Sequence, residues 1–351
     1  MTEFVVPPAL DCGDSVAVLA PSGGSAAAAP DVLSRGVRRL RELGLSPVVY
    51  PTARQRDDYL RATPRARAAD LHAAFRDPDI AGAFATIGGD DELRVLEYLD
   101  AGVLRGNPTR FYGMSDNTNL ALFLWRAGVV SYYGGQVMNQ VAAPGPLHPY
   151  TERYLRRALF EPSPGELGAA GEWADLTASW DEYADAAPEY RPAERTWTGG
   201  DTVVEGRLWG GCLAVLEWQL MTGRYLPAPD RLDGAVLAIE TAEDMPPAKR
   251  VRWALMCMGE RGLLGRFDAV LVGRPATANW REQPDRDERE RYRRAQREAI
   301  EGELDRYNPG APVVFDLDFG HTLPAAPVPI GGRVVVDPGA RRVAFPAPAN
   351  A

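Results

Sequence analysis

Ser115 follows a short β-type run and a glycine in the stretch TRFYGMSDNTNLALFLW, residues 109–125, and a helix-type run begins at once with Asp116, Asn117 and Thr118. A serine at such a strand-to-helix corner is held out at the strand's C-terminal end, with amides of the new helix pointing at whatever it attacks. Ser115, Asp116 and Asn117 also make a good helix start, with Ser115 or Asp116 serving as a cap. Asn117 moreover stands where the G-x-S-x-G elbow has its second glycine. Three histidines exist: His72 in a polar helix, His148 in a Pro-Gly loop, and His321 directly after a glycine that closes a strand. If imidazole activates Ser115, His321 is the natural base, because strand ends punctuated by glycine are where α/β enzymes hold catalytic groups. Its orienting partner should be a buried carboxylate at another strand end, and Glu240 stands at one.

A second glycine corner, Gly88-Gly89, ends the strand before the one that carries Ser115. Without β-carbons there, backbone amides can approach a ligand closely. An amide of that corner and the amide of Asp116 could face one oxyanion beside Ser115. A plain tight turn is an equal reading of the two glycines.

The elements that must position these groups read as a βαβ succession from residue 14 onward, the pattern of a parallel sheet. Strands are expected at 15–19, 47–50, 80–87 and 129–133, with the Ser115 strand between the last two. Helices are expected at 31–43, from Thr63-Pro64 to residue 75, from Gly88-Asp91 to about residue 99, and at 151–160. The turn at Gly23-Gly24 lacks both G-x-G-x-x-G and the Walker lysine and reads as a tight turn. Residues 161–200 hold Trp173, Trp180, Tyr183, Tyr190 and Trp197 without clean periodicity, the texture of a functional loop more than of a linker. The second half gives strands at 202–209, 235–239, 267–272, 312–317, 334–336 and 342–345. Its helices are expected after Gly210-Gly211 to residue 221, at 248–258, and as a highly charged, solvated helix at 281–307.

A chain of 351 residues exceeds the size at which one core keeps growing. The division expected is an N-terminal α/β domain over 1–165 that carries Ser115, a linker and substrate loop over 166–200, and a C-terminal domain over 201–351 that carries Glu240 and His321. A net charge of −9 argues against a nucleic-acid polymer or an anionic membrane as partner. The N-terminus carries an acid where a signal peptide needs basic residues, and no apolar run approaches a membrane span, so a cytoplasmic protein is expected. Cys12, Cys212 and Cys257 form no CxxC pair and read as reduced core thiols with no metal framework.

Five segments then carry a family resemblance: TIGGDDELRVLEYLD, FYGMSDNTNLAL, VEGRLWGGCL, VLAIETAED and PVVFDLDFGHTLPAAPVPIGGRVVVD. In this order they resemble the serine peptidases that include the LD-carboxypeptidases and the microcin C immunity peptidases, over nearly the whole chain. The resemblance implies a flavodoxin-like N-terminal domain, a smaller C-terminal α/β domain with a β-barrel-like sheet, and a homodimer. It implies Ser115 as nucleophile, His321 as base, Glu240 as the residue that orients it, and the amides of Gly89 and Asp116 as the oxyanion hole, with no metal or cofactor.

The tryptophan-rich stretch before VEGRLWGG resembles the longer substrate loop of the immunity-peptidase branch, in which an aromatic residue stacks on the base of an aminoacyl-nucleotide analogue. Trp180 is the first candidate for that contact, and Trp173 and Trp197 are the alternatives. The activity expected is hydrolysis of an amide or acyl bond in a small peptide or an aminoacyl-nucleotide, in detoxification or self-immunity. The rivals are a murein tetrapeptide LD-carboxypeptidase and a non-catalytic small-molecule-binding protein on the same scaffold; intact Ser115, Glu240 and His321 speak against the latter.

Overall fold

A computed structural model describes residues 4–183 and 186–348. Its first sheet holds β1 (Ser15–Leu19), β2 (Ser46–Val49), β3 (Ile80–Ala85), β4 (Arg110–Gly113) and β5 (Ser131–Tyr133), all parallel, in the spatial order β2-β1-β3-β4-β5. That is the doubly wound, flavodoxin-like order, with its switch point between β1 and β3. Strands buried on both faces read as near-continuous apolar runs, as β1 and β3 do. Helices Pro30–Glu42, Pro64–Arg76, Thr118–Ala127 and Pro149–Phe160 cover the sheet.

Residues 165–198 contribute β6 (Gly165–Glu166), β7 (Glu172–Trp173), β8 (Arg191–Pro192) and β9 (Thr196–Thr198). The remaining strands are β10 (Val204–Cys212), β11 (Ala235–Glu240), β12 (Phe267–Gly273), β13 (Val313–Leu317), β14 (Val328–Ile330), β15 (Arg333–Asp337) and β16 (Arg342–Phe345). The second sheet runs β6-β16-β15-β10-β11-β12-β13-β9, with the four central strands parallel and the flanking ones antiparallel. β14, from the far end of the chain, pairs antiparallel with β5 and completes the first sheet. One apolar cluster contains Met114 and Tyr133 of the first sheet region together with most of the second sheet's core, so the two halves share buried surface. Among the described residues no helix is long and apolar enough to cross a membrane.

Three local departures from the expected elements bear on the site. The helix expected from Gly88-Asp91 to about residue 99 is instead two 3-10 turns, Glu92–Arg94 and Leu96–Tyr98. There the amides of Asp91 and Glu92 donate to the Asp116 carboxylate, and the Leu120 amide donates to Glu92 Oε2, which pins the segment to the next helix. The strand expected to end at residue 209 continues as β10 through Gly210-Gly211 to Cys212, beside Glu240 of β11. A β-carbon on Gly211 would stand 2.6 Å from Thr118 Oγ1, and its φ of +143° is one that L-residues avoid. Glycine therefore lets β10 pass close enough for the Cys212 amide to donate to Thr118 Oγ1 at 3.0 Å. The charged helix begins at Arg286 and not at 281, because Asp285 and Glu288 form a reciprocal capping box. Residues 280–284 are thereby left as a loop.

Candidate active site

Ser115 stands just beyond β4, at the head of a 3-10 turn, Ser115–Asn117, that leads into helix Thr118–Ala127. Its φ is +62°, a left-handed conformation that costs a residue with a β-carbon about 1–3 kcal/mol and persists only where the surroundings enforce it. Two contacts enforce it: the Ser115 amide donates to the Tyr133 hydroxyl at 3.0 Å, and the Thr118 hydroxyl donates to the Ser115 carbonyl at 2.7 Å. The serine side chain then lies against Gly88. A β-carbon on Gly88 would sit 2.7 Å from Ser115 Cβ and 2.9 Å from its Oγ, so only glycine leaves the hydroxyl in place.

The Asp116 carboxylate ties together the loops at the ends of β1, β3 and β4. Its Oδ2 accepts from the Ser22 hydroxyl and from the amides of Asp91 at 3.0 Å and Glu92 at 2.9 Å, and Oδ1 accepts from Asn119 Nδ2 at 2.8 Å. Burial raises the Asp116 carboxyl above its ordinary range, opposed by the hydrogen bonds from Ser22 and Glu92. Burial also holds the neighbouring Glu92 carboxyl well above its usual value, with the charge of Asp116 adding to the effect. The chain sequence marks Asp116 for its amide; the bracing by its side chain becomes visible only when the three loops meet.

Glu240 ends β11 and is 1% exposed. Its Oε2 lies 2.6 Å from His321 Nδ1, and its Oε1 accepts from the Tyr133 hydroxyl at 2.6 Å. Tyr133 thus links the backbone of Ser115 to the carboxylate behind the imidazole. Burial raises its phenol well above the ordinary value, and the charge of Glu240 pushes the same way. On the other side of the ring, His321 Nε2 faces Glu243 Oε2 at 3.2 Å. Among the described residues no hydrogen bond joins Ser115 Oγ to His321. Burial works against the imidazolium, but the charges of Glu240 and Glu243, with Asp244 behind them, outweigh it and raise His321 to about 9. Each ring nitrogen thus faces a carboxylate oxygen, an arrangement that favours the protonated ring.

Ser115, Gly88, Gly89 and His321 open into one cleft of about 480 Å³, also lined by Trp180, Tyr183, Glu243 and Trp280. The other two histidines are occupied elsewhere: His72 accepts from the Asp100 amide, and His148 accepts from the Tyr150 amide and faces Glu172. Of the three tryptophans singled out by the sequence, Trp180 lines this cleft and packs on Tyr183 with ring centroids 4.9 Å apart. Trp173 is 3% exposed, under the Arg191 guanidinium at 3.6 Å with Arg274 and Arg293 nearby, and Trp197 stands opposite Val314 in the second sheet; neither lines the cleft. Trp280, 52% exposed, was hidden in the sequence by the apparent start of the charged helix next to it. Tyr133 and Glu243 carry no motif signal beyond their places, one before the Gly134-Gly135 pair and the other three residues after Glu240.

A strained serine, an imidazole backed by a buried carboxylate, and glycine amides at the same strand ends are the parts required for acyl transfer. Comparison with known proteins adds the lineage. Residues 16–134 match the model of the LD-carboxypeptidase N-terminal domain, and residues 205–336 match that of the LD-carboxypeptidase C-terminal domain. A Streptomyces coelicolor protein named as a carboxypeptidase is 30% identical over 346 residues, 96% of this chain and 94% of its own. The microcin C7 self-immunity protein MccF of Escherichia coli is 23% identical, covering 93% of this chain and 92% of its own. A structure of MccF with aspartyl sulfamoyl adenosine superimposes with a TM-score of 0.84 at 22% identity, over 97% of this chain and 98% of that one. An MccF-like protein from Streptococcus pneumoniae, solved with AMP, does so with a TM-score of 0.85 at 24% identity, over 95% of this chain and 99% of that one.

Proposed function

The chain belongs to the LD-carboxypeptidase family of serine peptidases, and on that footing we propose that it hydrolyses the acyl or amide bond of an aminoacyl-nucleotide with Ser115, His321 and Glu240. The observation that carries the choice of substrate is Trp180, whose indole lines the same cleft as Ser115 and His321. A nucleobase presents a flat π-face to such a ring, and one base–aromatic stack contributes about 1–3 kcal/mol. The nucleotide ligands of MccF and of the Streptococcus pneumoniae protein support the same reading.

In the proposed cycle, the imidazolium first gives up its Nε2 proton to solvent by way of Glu243; neutral Nε2 then turns from Glu243 to Ser115 Oγ and takes the hydroxyl proton as Oγ bonds to the substrate carbonyl carbon. The amides of Gly89 and Asp116 receive the oxyanion. Collapse expels the leaving group with the proton from His321, and water, deprotonated by the same imidazole, releases the acyl group and restores Ser115. Glu240 fixes the ring with Nδ1–H inward and stabilises the imidazolium. Tyr133, donating to Glu240, keeps that carboxylate oriented.

The test is hydrolysis of a panel by the wild type and Ser115→Ala: aminoacyl-sulfamoyl adenosines beside a murein tetrapeptide. Cleavage of the adenosine conjugates that is lost in Ser115→Ala supports the proposal. Cleavage of the tetrapeptide alone assigns the chain to cell-wall recycling, and binding without cleavage of either assigns it to the non-catalytic class.

A further inference from the structure

Among the described residues, Trp280 is the one exposed large apolar side chain that lines the cleft beside Ser115. The loop that carries it is fastened at two points. The Asn279 carboxamide oxygen accepts from the amides of Arg281 at 2.7 Å and Glu282 at 2.8 Å, and its nitrogen donates to the Glu243 carbonyl at 2.8 Å. Two residues before Asn279, the buried Thr277 donates to the Asp175 carboxylate through its amide and its hydroxyl, both at 2.8 Å. Asp175 is buried as well, and it immediately precedes the segment from which Leu176, Trp180 and Tyr183 line the same cleft. Trp280 is therefore exposed on a loop that is already held, and a group fixed in advance loses little freedom when a ligand covers it. The Arg281 guanidinium lies over the indole, 4.4 Å from the ring centroid, which leaves at most one face for that ligand.

We propose that Trp280 is a specificity-determining residue, a wall against which the substrate lays a flat or apolar group, and that the contact between Asp175 and Thr277 fixes its place relative to Trp180. This deepens the hydrolase reading above and rests on it. Trp180 and Trp280 reach the cleft from separate halves of the chain, and Asp175 and Thr277 are where their segments meet. The span between the two indoles thus depends on a buried contact that touches no substrate, which makes Asp175 and Thr277 positioning residues. An indole combines a large apolar face with a rigid ring, so covering it rewards a group of matching shape. In an aminoacyl-nucleotide two parts can supply that group, the base and the acyl side chain.

The experiment is steady-state hydrolysis of glycyl- and phenylalanyl-sulfamoyl adenosine, which differ only in the acyl side chain, beside a murein tetrapeptide. The enzymes compared are the wild type, Trp280→Ala, Trp280→Phe, Thr277→Val and Thr277→Ser. Trp280→Ala should raise KM by at least about fivefold, more than it changes kcat, and Trp280→Phe should keep most of the affinity. A rise for both conjugates assigns the indole to the base, and a rise for the phenylalanyl conjugate alone assigns it to the acyl side chain. Thr277→Val should raise KM for the same conjugates by about two- to tenfold, and Thr277→Ser should not. In the Trp280→Ala background Thr277→Val should add nothing, which separates positioning of the indole from a general loosening of the loop. Additive effects overturn the role given to Asp175 and Thr277. If the tetrapeptide alone is cleaved, the nucleotide reading fails, and a raised KM for that peptide in Trp280→Ala still upholds the wall. If the adenosine conjugates are cleaved with one KM by wild type and Trp280→Ala, the nucleotide reading stands and the proposal is overturned. An unchanged KM for the tetrapeptide where it alone is cleaved, or cleavage of none of the three, overturns it as well.

Discussion

The Tyr133 hydroxyl donates to Glu240 Oε1 at 2.6 Å, which joins a residue at the end of the first sheet to one at the end of the second. The same oxygen accepts the Ser115 amide, so a single phenol holds the serine in its left-handed conformation and the carboxylate in its orientation. Tyr133→Phe removes both contacts without changing the ring's volume. A buried hydrogen bond to a charged group contributes about 1.5–3 kcal/mol. The reaction of Ser115 with a fluorophosphonate should therefore slow by about ten- to a hundredfold, with near-native circular dichroism. An unchanged labelling rate would show that Tyr133 has no part in positioning.

The state of His321 sets a pH dependence with a definite sign. Only the neutral imidazole accepts the serine proton, and in the resting arrangement the ring is raised to about 9. Labelling of the free enzyme should therefore increase from neutral pH toward a plateau above about pH 9. Glu243→Gln removes one of the two carboxylates that favour the cation and should shift the midpoint to lower pH. A midpoint that stays in place in the variant would show that Glu243 does not hold the ring.

The same shift bears on stability. A histidine raised above its unfolded value of about 6.5 stabilises the fold fully below that pH, and the contribution is lost as pH climbs through about 9. In His321→Ala, the loss of melting temperature between pH 7 and 9.5 should be smaller than in the wild type, as thermal scans at matched ionic strength would show.

Gly88→Ala places a β-carbon 2.7 Å from Ser115 Cβ and 2.9 Å from Oγ. Displacing a nucleophile by about 1 Å costs on the order of a hundredfold in rate. Loss of labelling by at least that factor is expected in a protein that still folds, and full labelling of the variant would contradict the packing of the serine against Gly88.

The tryptophans should separate into two kinds. Trp180→Ala is expected to raise KM for an aminoacyl-adenylate analogue by about five- to a hundredfold, the equivalent of one stack, while labelling by the small fluorophosphonate stays near wild type. Trp173→Ala removes a buried ring beneath three arginines and is expected to cost about 3–5 kcal/mol in denaturant unfolding. Exchange of these two outcomes would mean that Trp173 reaches the substrate.

The sequence by itself determined the parallel βαβ succession, Glu240 at the end of a strand, Ser115 just past one, and the family, whereas it put His321 directly after a strand that in fact ends at Leu317, four residues earlier. Hydrophobic periodicity and glycine punctuation act over a few residues, so a linear reading finds them. It also placed Trp180 in a segment without periodicity, but it could not tell that ring from Trp173 or Trp197, because burial depends on which arginines and strands arrive from elsewhere. The turns at 92–98 replaced an expected helix because the Asp116 carboxylate, from a later loop, captures the amides of Asp91 and Glu92. The strand expected to end at residue 209 runs on through Gly210-Gly211, where β10 closely approaches Thr118, which no local pattern announces. Tertiary structure alone decided that β14 returns to the first sheet, that the Tyr133 hydroxyl bridges Ser115 and Glu240, and that Glu243 faces His321. Each of these contacts joins residues distant in the chain or set by a loop's path, and its geometry is fixed by two sheets packing their strand ends together.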